Sequence, residues 1–425
     1  MLKVVTDTPE LKAASGRETL DLVVREGAQR MLHQALQAEV AAYLERHPER
    51  DARGRALVVR NGTARARQVT CGAGTLTVSA PRVNDRRRDA AGQRQRFTSQ
   101  ILPPYMRRSP QVAEVLPVLY LRGLSTGDFR EVLPILLGEE AAGLSPTNIA
   151  RLTAVWEDEY HAFRQRSLAE RDYVYVWVDG VHFTIRLEEE RLCTLVMIGV
   201  RPDGTKELIV VEDGYRESTE SWASVLRDLR RRGMRAPVVA VGDGALGFWA
   251  AARDVWPATR AQRDWCHKLA NILDKLPQGL QPKAKRALRE IMYAETRDEA
   301  NELLDRFAAV YQPKHPKAVA GVVDDREVLL THFDFPAEHW VHLRTTNPVE
   351  SSFATVRLRQ RVTKGAGTRT KGLTMAFKLL VMAEQRWRKL NGAELLPLVR
   401  AGVRFVDGQR VEREERPKQV RKAAA

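Results

Sequence analysis

The sequence predicts an α/β core interrupted by an all-α insertion and preceded by an α-rich basic region with a β-hairpin and a helix-turn-helix. Three observations predict it. Apolar residues recur at helical spacing over 18–46 and again from 110 to about 156. Short, almost wholly apolar β-rich runs follow between 173 and 244, separated by turn signals and one helical segment. Residues 262–340 then return to a helical pattern punctuated by prolines.

Composition narrows the class. At 425 residues the chain is long enough for several domains and a sizeable core. Hydrophobic residues at 44% and a mean hydropathy of −0.38 describe a globular protein rather than a disordered one. No run approaches the ~20 apolar residues of a spanning helix, and the first residues lack the apolar stretch of a secretory signal. Three dispersed cysteines, Cys71, Cys193 and Cys266, exclude a disulfide framework and point to a reducing cytoplasm. The net charge is +15, and 54 of the 69 basic residues are arginine, the side chain suited to bidentate phosphate contact. Between Arg53 and Arg108 stand 13 arginines, no lysine and two acids, Asp85 and Asp89. Such a stretch favours a nucleic-acid backbone over a simply solvated face or a membrane surface.

The elements follow in order. Residues 18–46 form an amphipathic helix, with Leu20, Val24, Met31, Ala35, Leu36, Val40 and Leu44 at three- and four-residue steps. Asn61-Gly62 is a turn signal, and Thr75–Val83 belongs to an Arg-studded hairpin. Residues 84–95, with Arg86, Arg87 and Arg88, read as a mobile polar linker that offers cations to DNA. The segment 123–156 resembles a helix-turn-helix: Ser125 and Ser145 are N-caps, Gly138 and Gly143 mark the connection, and Pro146 opens the second helix. Ile149, Leu152 and Val155 then pack inward, leaving Thr147, Asn148 and Arg151 for a DNA groove.

The chemistry lies further on. Residues 173–179 form a strand that alternates valine with aromatic residues and ends on Asp179-Gly180. Two more strands, joined by a turn at 201–204, and a helix over 221–232 precede 238–244, a second apolar strand ending in Asp243-Gly244. Three antiparallel-type strands, a helix and a further strand are the order of a ribonuclease-H-like core, where the first and fourth strands are neighbours. Asp179 and Asp243 then meet at adjacent strand ends, and two carboxylates there call for a hard divalent cation, Mg²⁺ or Mn²⁺. A third acid, Glu350, stands at the start of a helix with Asn347 as N-cap and Pro348 next. One reading of Glu350 is a capping box closed on Asn347. The other places it on a helix face with Arg357 and Arg361, while Val349, Phe353 and Val356 pack on the sheet.

These residues carry a resemblance. The strings WVDGVHF, DGYRESTESW, VGDGALGFWAA, QRDWCHKLANILDKLP, DFPAEHW, LRTTNPVESSFATVRLR and RWRKLNGAELL resemble the catalytic region of mutator-type transposases of bacterial insertion sequences. The order of the amino-terminal elements agrees, so the likeness spans nearly the whole chain. It implies that Asp179, Asp243 and Glu350 are the catalytic, metal-holding Asp-Asp-Glu set of a ribonuclease-H-like transposase. The family carries a helical insertion between the second and third acids, and here 107 residues separate Asp243 from Glu350. A Cys-x-x-His pair is common in the family; here the string is Asp264-Trp265-Cys266-His267, with aspartate in the cysteine position. His267 and Asp264 are therefore expected to support the site, Cys266 to be a buried packing thiol, and zinc is not expected.

The implied organisation is 1–108 as a helical and hairpin DNA-binding region, 109–165 as the helix-turn-helix, 170–261 with 341–395 as the catalytic core, 262–340 as the insertion and 396–425 as a tail. The implied reaction is metal-dependent cleavage and strand transfer at terminal inverted repeats, with two Mg²⁺ ions ~3.5–4 Å apart and no covalent protein intermediate. Joining two ends requires at least a homodimer on double-stranded DNA, in the bacterial cytoplasm at the nucleoid. A ribonuclease-H-like nuclease or resolvase, and a catalytically inactive DNA-binding regulator, are the alternatives.

Overall fold

The amino-terminal periodicity forms one long helix, α1 (Gly16–Glu45). It opens a computed structural model that describes residues 16–121, 124, 129–137, 146–185, 192–214, 218–244, 247–363 and 368–411. The chain divides into two units, Met1–Val155 and Trp156–Ala425. Among the described residues no helix is long and apolar enough to cross a membrane.

In the first unit, four strands follow α1: β1 (Val58–Thr63), β2 (Arg67–Cys71), β3 (Gly74–Val78) and β4 (Pro81–Asp85). The expected hairpin is β2–β3, and β1 pairs antiparallel with β4 outside it. Asn61-Gly62 is not its turn. It lies within β1, where the register slips between Arg60 and Thr63 and Gly62 takes a φ of 63°, a bulge only a residue without Cβ adopts freely. The stripe of α1 that packs on this hairpin runs through Ala28, Leu32 and Leu36, against Val69, Leu76 and Val78. Leu20, Val24 and Met31, expected on the same stripe, are exposed.

Residues 84–95 are not a loose linker. The Asp89 carboxylate accepts from the backbone of Ala91 and Gln93, Arg88 bridges Arg94, and Arg94 donates to the Asp85 carbonyl. An aspartate that satisfies its own turn in this way closes the segment locally. Two helices complete the region, α2 (Pro110–Leu121) and α3 (Phe129–Leu137), with Val112, Leu116, Phe129 and Leu133 packed together, and α4 (Pro146–Gln165) begins in the first unit and ends in the second. Ser125, Gly138, Gly143 and Ser145 lie outside the described residues, as do the side chains of Thr147, Asn148, Ile149, Arg151 and Leu152. Val155 is exposed rather than packed inward.

The second unit is built on a five-stranded mixed sheet in the order β7-β6-β5-β8-β9. Its strands are β5 (Tyr175–Phe183), β6 (Leu192–Val200), β7 (Lys206–Asp213), β8 (Val239–Gly242) and β9 (Arg260–Arg263). β5 does not stop at Asp179. Antiparallel pairing with β6 carries it to Phe183, whereas parallel pairing with β8 ends at Trp177↔Val241. Within β5 the alternation read from the sequence holds: Val176 and Val178 join the core under α5 (Thr219–Arg231) and α6 (Phe248–Val255), while Tyr175 and Trp177 hydrogen-bond His339 and the His342 carbonyl; Tyr173, ahead of the strand, lies in the core with the valines. The first and fourth strands are neighbours, as expected.

Residues 265–343 are helical: α7 (Trp265–Leu273), α8 (Gln281–Met292), α9 (Arg297–Tyr311), α10 (Pro316–Val323), α11 (Arg326–Leu329) and α12 (Trp340–Leu343). Of these, α11 is only a single turn, followed by a 3₁₀ turn at Thr331–Asp334. These helices share their own core of Trp265, Ile272, Leu288, Leu304, Phe307 and Phe333. The chain then returns to the sheet as α13 (Asn347–Thr363) and α14 (Arg369–Glu384). Val349, Phe353 and Val356 of α13 are fully buried, the face expected to meet the sheet.

Candidate active site

Strand register assembles the acids. β5 and β8 run parallel with Trp177 opposite Val241, so two residues further on each presents a carboxylate, Asp179 and Asp243. β8 and β9 are parallel with Gly242 opposite Arg263, and the Asp264 amide still donates to the Gly242 carbonyl at 3.0 Å. One step past that register, Asp243 stands beside Asp264. The parallel pairing of three neighbouring strands thus brings Asp179, Asp243 and Asp264 to the same edge, although β5 itself runs on to Phe183. Asp179 and Asp243 each accept from the amide of the glycine that follows, at 2.8 and 2.5 Å. The Trp249 indole donates to the Asp243 carbonyl at 2.6 Å and lies 4.2 Å beneath the Arg263 guanidinium, so the loop after β8 is anchored from its own helix.

Asp264 joins three elements. As the N-cap of α7 its Oδ1 accepts from the His267 amide at 3.0 Å. Its Oδ2 accepts from the Thr346 amide at 2.6 Å and from the Thr346 hydroxyl. The residue is 1% exposed, so these bonds decide its state. Burial alone would raise its pKa, but the bonds from His267 and Thr346 outweigh that and hold the carboxyl below its ordinary range.

His267 bridges Asp264 to Glu350. Its Nδ1 lies 3.4 Å from Asp264 Oδ2 and its Nε2 3.3 Å from Glu350 Oε1. Ligand atoms of these three residues all fall within 4.8 Å of one another. The Asp264 carboxylate, reinforced by the negative field of Asp243 and Asp179 and opposed by burial, pushes the His267 pKa up to about 9. The carboxylates around the ring favour its protonated form.

The start of α13 differs from expectation. Thr346, not Asn347, is the cap: its carbonyl accepts from Val349 and Glu350, and the Asn347 amide donates to Thr345 Oγ1 at 3.4 Å. Glu350 closes no capping box on Asn347; its carboxylate is turned to His267. Thr346 is the site residue that sequence reasoning missed. Its only signal is a Thr-Thr-Asn-Pro string at a helix start, which reads as an ordinary cap.

The remaining predicted residues are dispersed. Arg357 is exposed on α13, its guanidinium 5.8 Å from the Phe353 ring, and the Arg361 side chain lies outside the described residues. Arg86 and Arg88 are exposed, Arg88 donating to the Gly92 carbonyl. Arg87 is not available for a ligand. It makes a bidentate pair with buried Asp85 at 3.0 and 2.7 Å and also contacts Tyr43 and His47. Cys266 is exposed on α7, not a packing thiol; Cys193 is the buried cysteine.

Comparison with known proteins then gives a consistent result. The family described as "Transposase, Mutator family" matches residues 2–388. The chain is 57% identical over 302 residues to the transposase for insertion sequence element IS6120 of Mycolicibacterium smegmatis, covering 71% of this chain and 93% of that one. It is 49% identical over 287 residues to the transposase for insertion sequence element IST2 of Acidithiobacillus ferrooxidans, covering 66% and 95%. Similarity extends, at 26% identity over 345 residues, to the transposase for insertion sequence element IS905 of Lactococcus lactis, covering 81% and 84%.

Proposed function

The chain belongs to the Mutator family of transposases, and from that premise we propose that Asp179, Asp243 and Glu350 are the catalytic carboxylates of a ribonuclease-H-like core. The observation that carries this reading is the common strand edge at which Asp179, Asp243 and Asp264 fall in line, with Glu350 held to it through His267. The substrate is the double-stranded end of an insertion sequence, which the enzyme cuts and joins to target DNA.

The site suits a hard divalent cation. Its donors are carboxylate oxygens, with His267 drawn between Asp264 and Glu350 at 3.4 and 3.3 Å. That donor set favours Mg²⁺, with Mn²⁺ as substitute, over zinc, for which no thiolate cluster stands at the edge. Asp179, Asp243 and Glu350 would hold such an ion, whose chemistry would be to activate the attacking oxygen and stabilise the leaving 3′-oxygen. Asp264 has both oxygens engaged, so its part is to lock α7 to α13, and His267 carries that order to Glu350. The chain supplies no nucleophile of its own: water and then the exposed 3′-hydroxyl attack.

Recognition of the terminal inverted repeats belongs to the first unit, with its exposed arginines and its α3–α4 pair. Thr147, Asn148 and Arg151 are the residues assigned to groove contact, and Arg357 and Arg361 those assigned to the backbone near the carboxylates. Two ends engaged together require at least a dimer, working on the nucleoid in the cytoplasm.

The test is a labelled element end incubated with full-length protein. Cutting and joining in Mg²⁺, with neither in EDTA nor in Ca²⁺, is the expected result. Cutting without joining identifies a nuclease, binding alone a regulator, and undiminished activity in EDTA removes the metal reading.

A further inference from the structure

A second basic surface lies on the helical insertion. Helix α8 carries Lys283, Lys285, Arg286 and Arg289 against one acid, Glu290, and all four cations are exposed. Elsewhere on the insertion, arginines are spent internally: Arg297 on Glu327 and Asp334, Arg306 on Glu302, Arg326 on Asp305. Among the described residues none of the four cations on α8 pairs with a carboxylate, so this helix presents its charge to whatever lies outside.

The stripe has direction. Lys285, Arg289 and Tyr293 follow at four-residue steps, with Arg286 alongside, and so share one face. From Lys285 to Tyr293 the helix rises roughly 12 Å, which spans three to four nucleotide steps at ~3.4 Å each. Tyr293 ends it, 62% exposed, with the Arg344 guanidinium 5.2 Å from its ring. Arg344 is itself buried, stacked on Trp340 at 5.1 Å, and its Nε has no hydrogen-bond partner among the described residues.

The stripe leads to the site. The Arg344 carbonyl accepts from the Trp265 amide at 2.9 Å, next to Asp264, and Thr346 two residues on holds the Asp264 carboxylate. One cation-bearing face therefore runs to within a residue or two of the groups that hold the carboxylate edge.

We propose that α8 is a DNA track: Lys285, Arg286 and Arg289 hold consecutive phosphates of the strand entering the carboxylate site, and Tyr293, backed by Arg344, is the platform on which a base of that strand stacks. The inference rests on the transposase reading of the site and adds residues to it. A solvated face would need no aromatic at its end. A protein partner would need an acidic complement, whereas phosphates and a π-face are matched by this combination of groups.

The experiment uses the full-length protein, Mg²⁺ and a labelled duplex carrying the end of the element. Lys285→Gln/Arg286→Gln/Arg289→Gln should melt as wild type. The slope of log binding constant against log salt should flatten by roughly 2–3, at about 0.9 per lost phosphate contact, and cutting should fall with it. Tyr293→Leu should leave the salt slope alone and reduce cutting or joining by roughly 5- to 100-fold, the range of one lost base stack; Tyr293→Phe should restore it. Arg306→Gln, an exposed cation already paired, is the control and should change nothing. A triple variant with wild-type slope and cutting rate, or a Tyr293→Leu protein that acts as wild type, overturns the proposal. Wild-type protein that neither binds nor cuts the end removes the transposase reading of the site first, and this one with it.

Discussion

Glu350 is the residue on which helix capping and chemistry make opposite demands. A cap tolerates Gln, since an amide oxygen still accepts, at a cost within ~1 kcal/mol. A cation ligand does not, because Gln removes a full charge. With the Asn347 amide satisfied by Thr345 and the Glu350 carboxylate on His267, Glu350→Gln should melt as wild type while losing strand transfer by several orders of magnitude. Wild-type joining by that variant would return Glu350 to a local structural role. Asp179→Asn and Asp243→Asn should match it, and pairs should add little, since the three act as one unit.

Thr346 makes the complementary case. Its hydroxyl and amide both donate to buried Asp264, and a hydrogen bond to a buried charge is worth about 1.5–3 kcal/mol. Thr346→Val keeps the shape and removes the hydroxyl, so denaturant unfolding should report a loss of that size. His342 gives the pH dependence. Burial lowers its pKa from 6.5 to about 4, and its Nε2 accepts from the Asn391 amide at 3.2 Å. Between those values the unfolded chain takes up a proton that the folded chain refuses. The stability that His342 permits is present above pH 6.5 and falls as pH drops toward 4. The ring is only partly buried, so the loss should be roughly 1–2 kcal/mol. Thermal melts of wild type and His342→Gln at pH 7 and pH 4.5 would measure it, the variant losing less.

At the scale of elements, what the sequence disclosed follows what is written in local pattern. Strand β5 was legible because valine alternates with aromatic residues, and the partnership of Asp179 with Asp243 followed from strand order alone. Its length was not legible, since β6 rather than any local signal carries β5 past Asp179. The buried stripe of α1 is not legible for a related reason: several apolar faces have helical spacing, and only the hairpin decides which one is buried. Thr346 and the Glu350–His267 contact depend on segments about eighty residues apart in sequence, beyond the reach of any periodicity. Arg87 shows the same limit for charge. Counted with its neighbours it adds to a DNA-binding surface, yet it is the counter-ion of Asp85, whose side chain is 1% exposed. Removing one partner of a buried pair leaves the other uncompensated, at a cost of roughly 3–5 kcal/mol. Arg87→Ala should therefore destabilise the first unit by about that much, whereas Arg86→Ala should leave melting unchanged and weaken DNA binding only. Equal melting temperatures for the two variants would mean that Asp85 finds another partner.

At the scale of the molecule, charge and carboxylates are divided along the chain. The run of 13 arginines and two acids lies entirely in the first unit, and the carboxylate edge lies entirely in the second. Selectivity for an end requires base contacts, while affinity for any DNA requires only cations, and the two respond differently to salt. A fragment of residues 1–165, which ends with α4, should bind the element end selectively, without cutting it, and weaken steeply as salt rises. The segment 170–425 keeps the α8 stripe and the exposed Arg357, so it should retain weak, salt-sensitive binding that does not distinguish the element end from other duplexes. Competition of each fragment between labelled end and unrelated DNA, at two salt concentrations, separates these contributions. If residues 170–425 alone chose the end as strongly as the full chain does, recognition would belong to the catalytic unit, and the arginines of the first unit would supply affinity without choice.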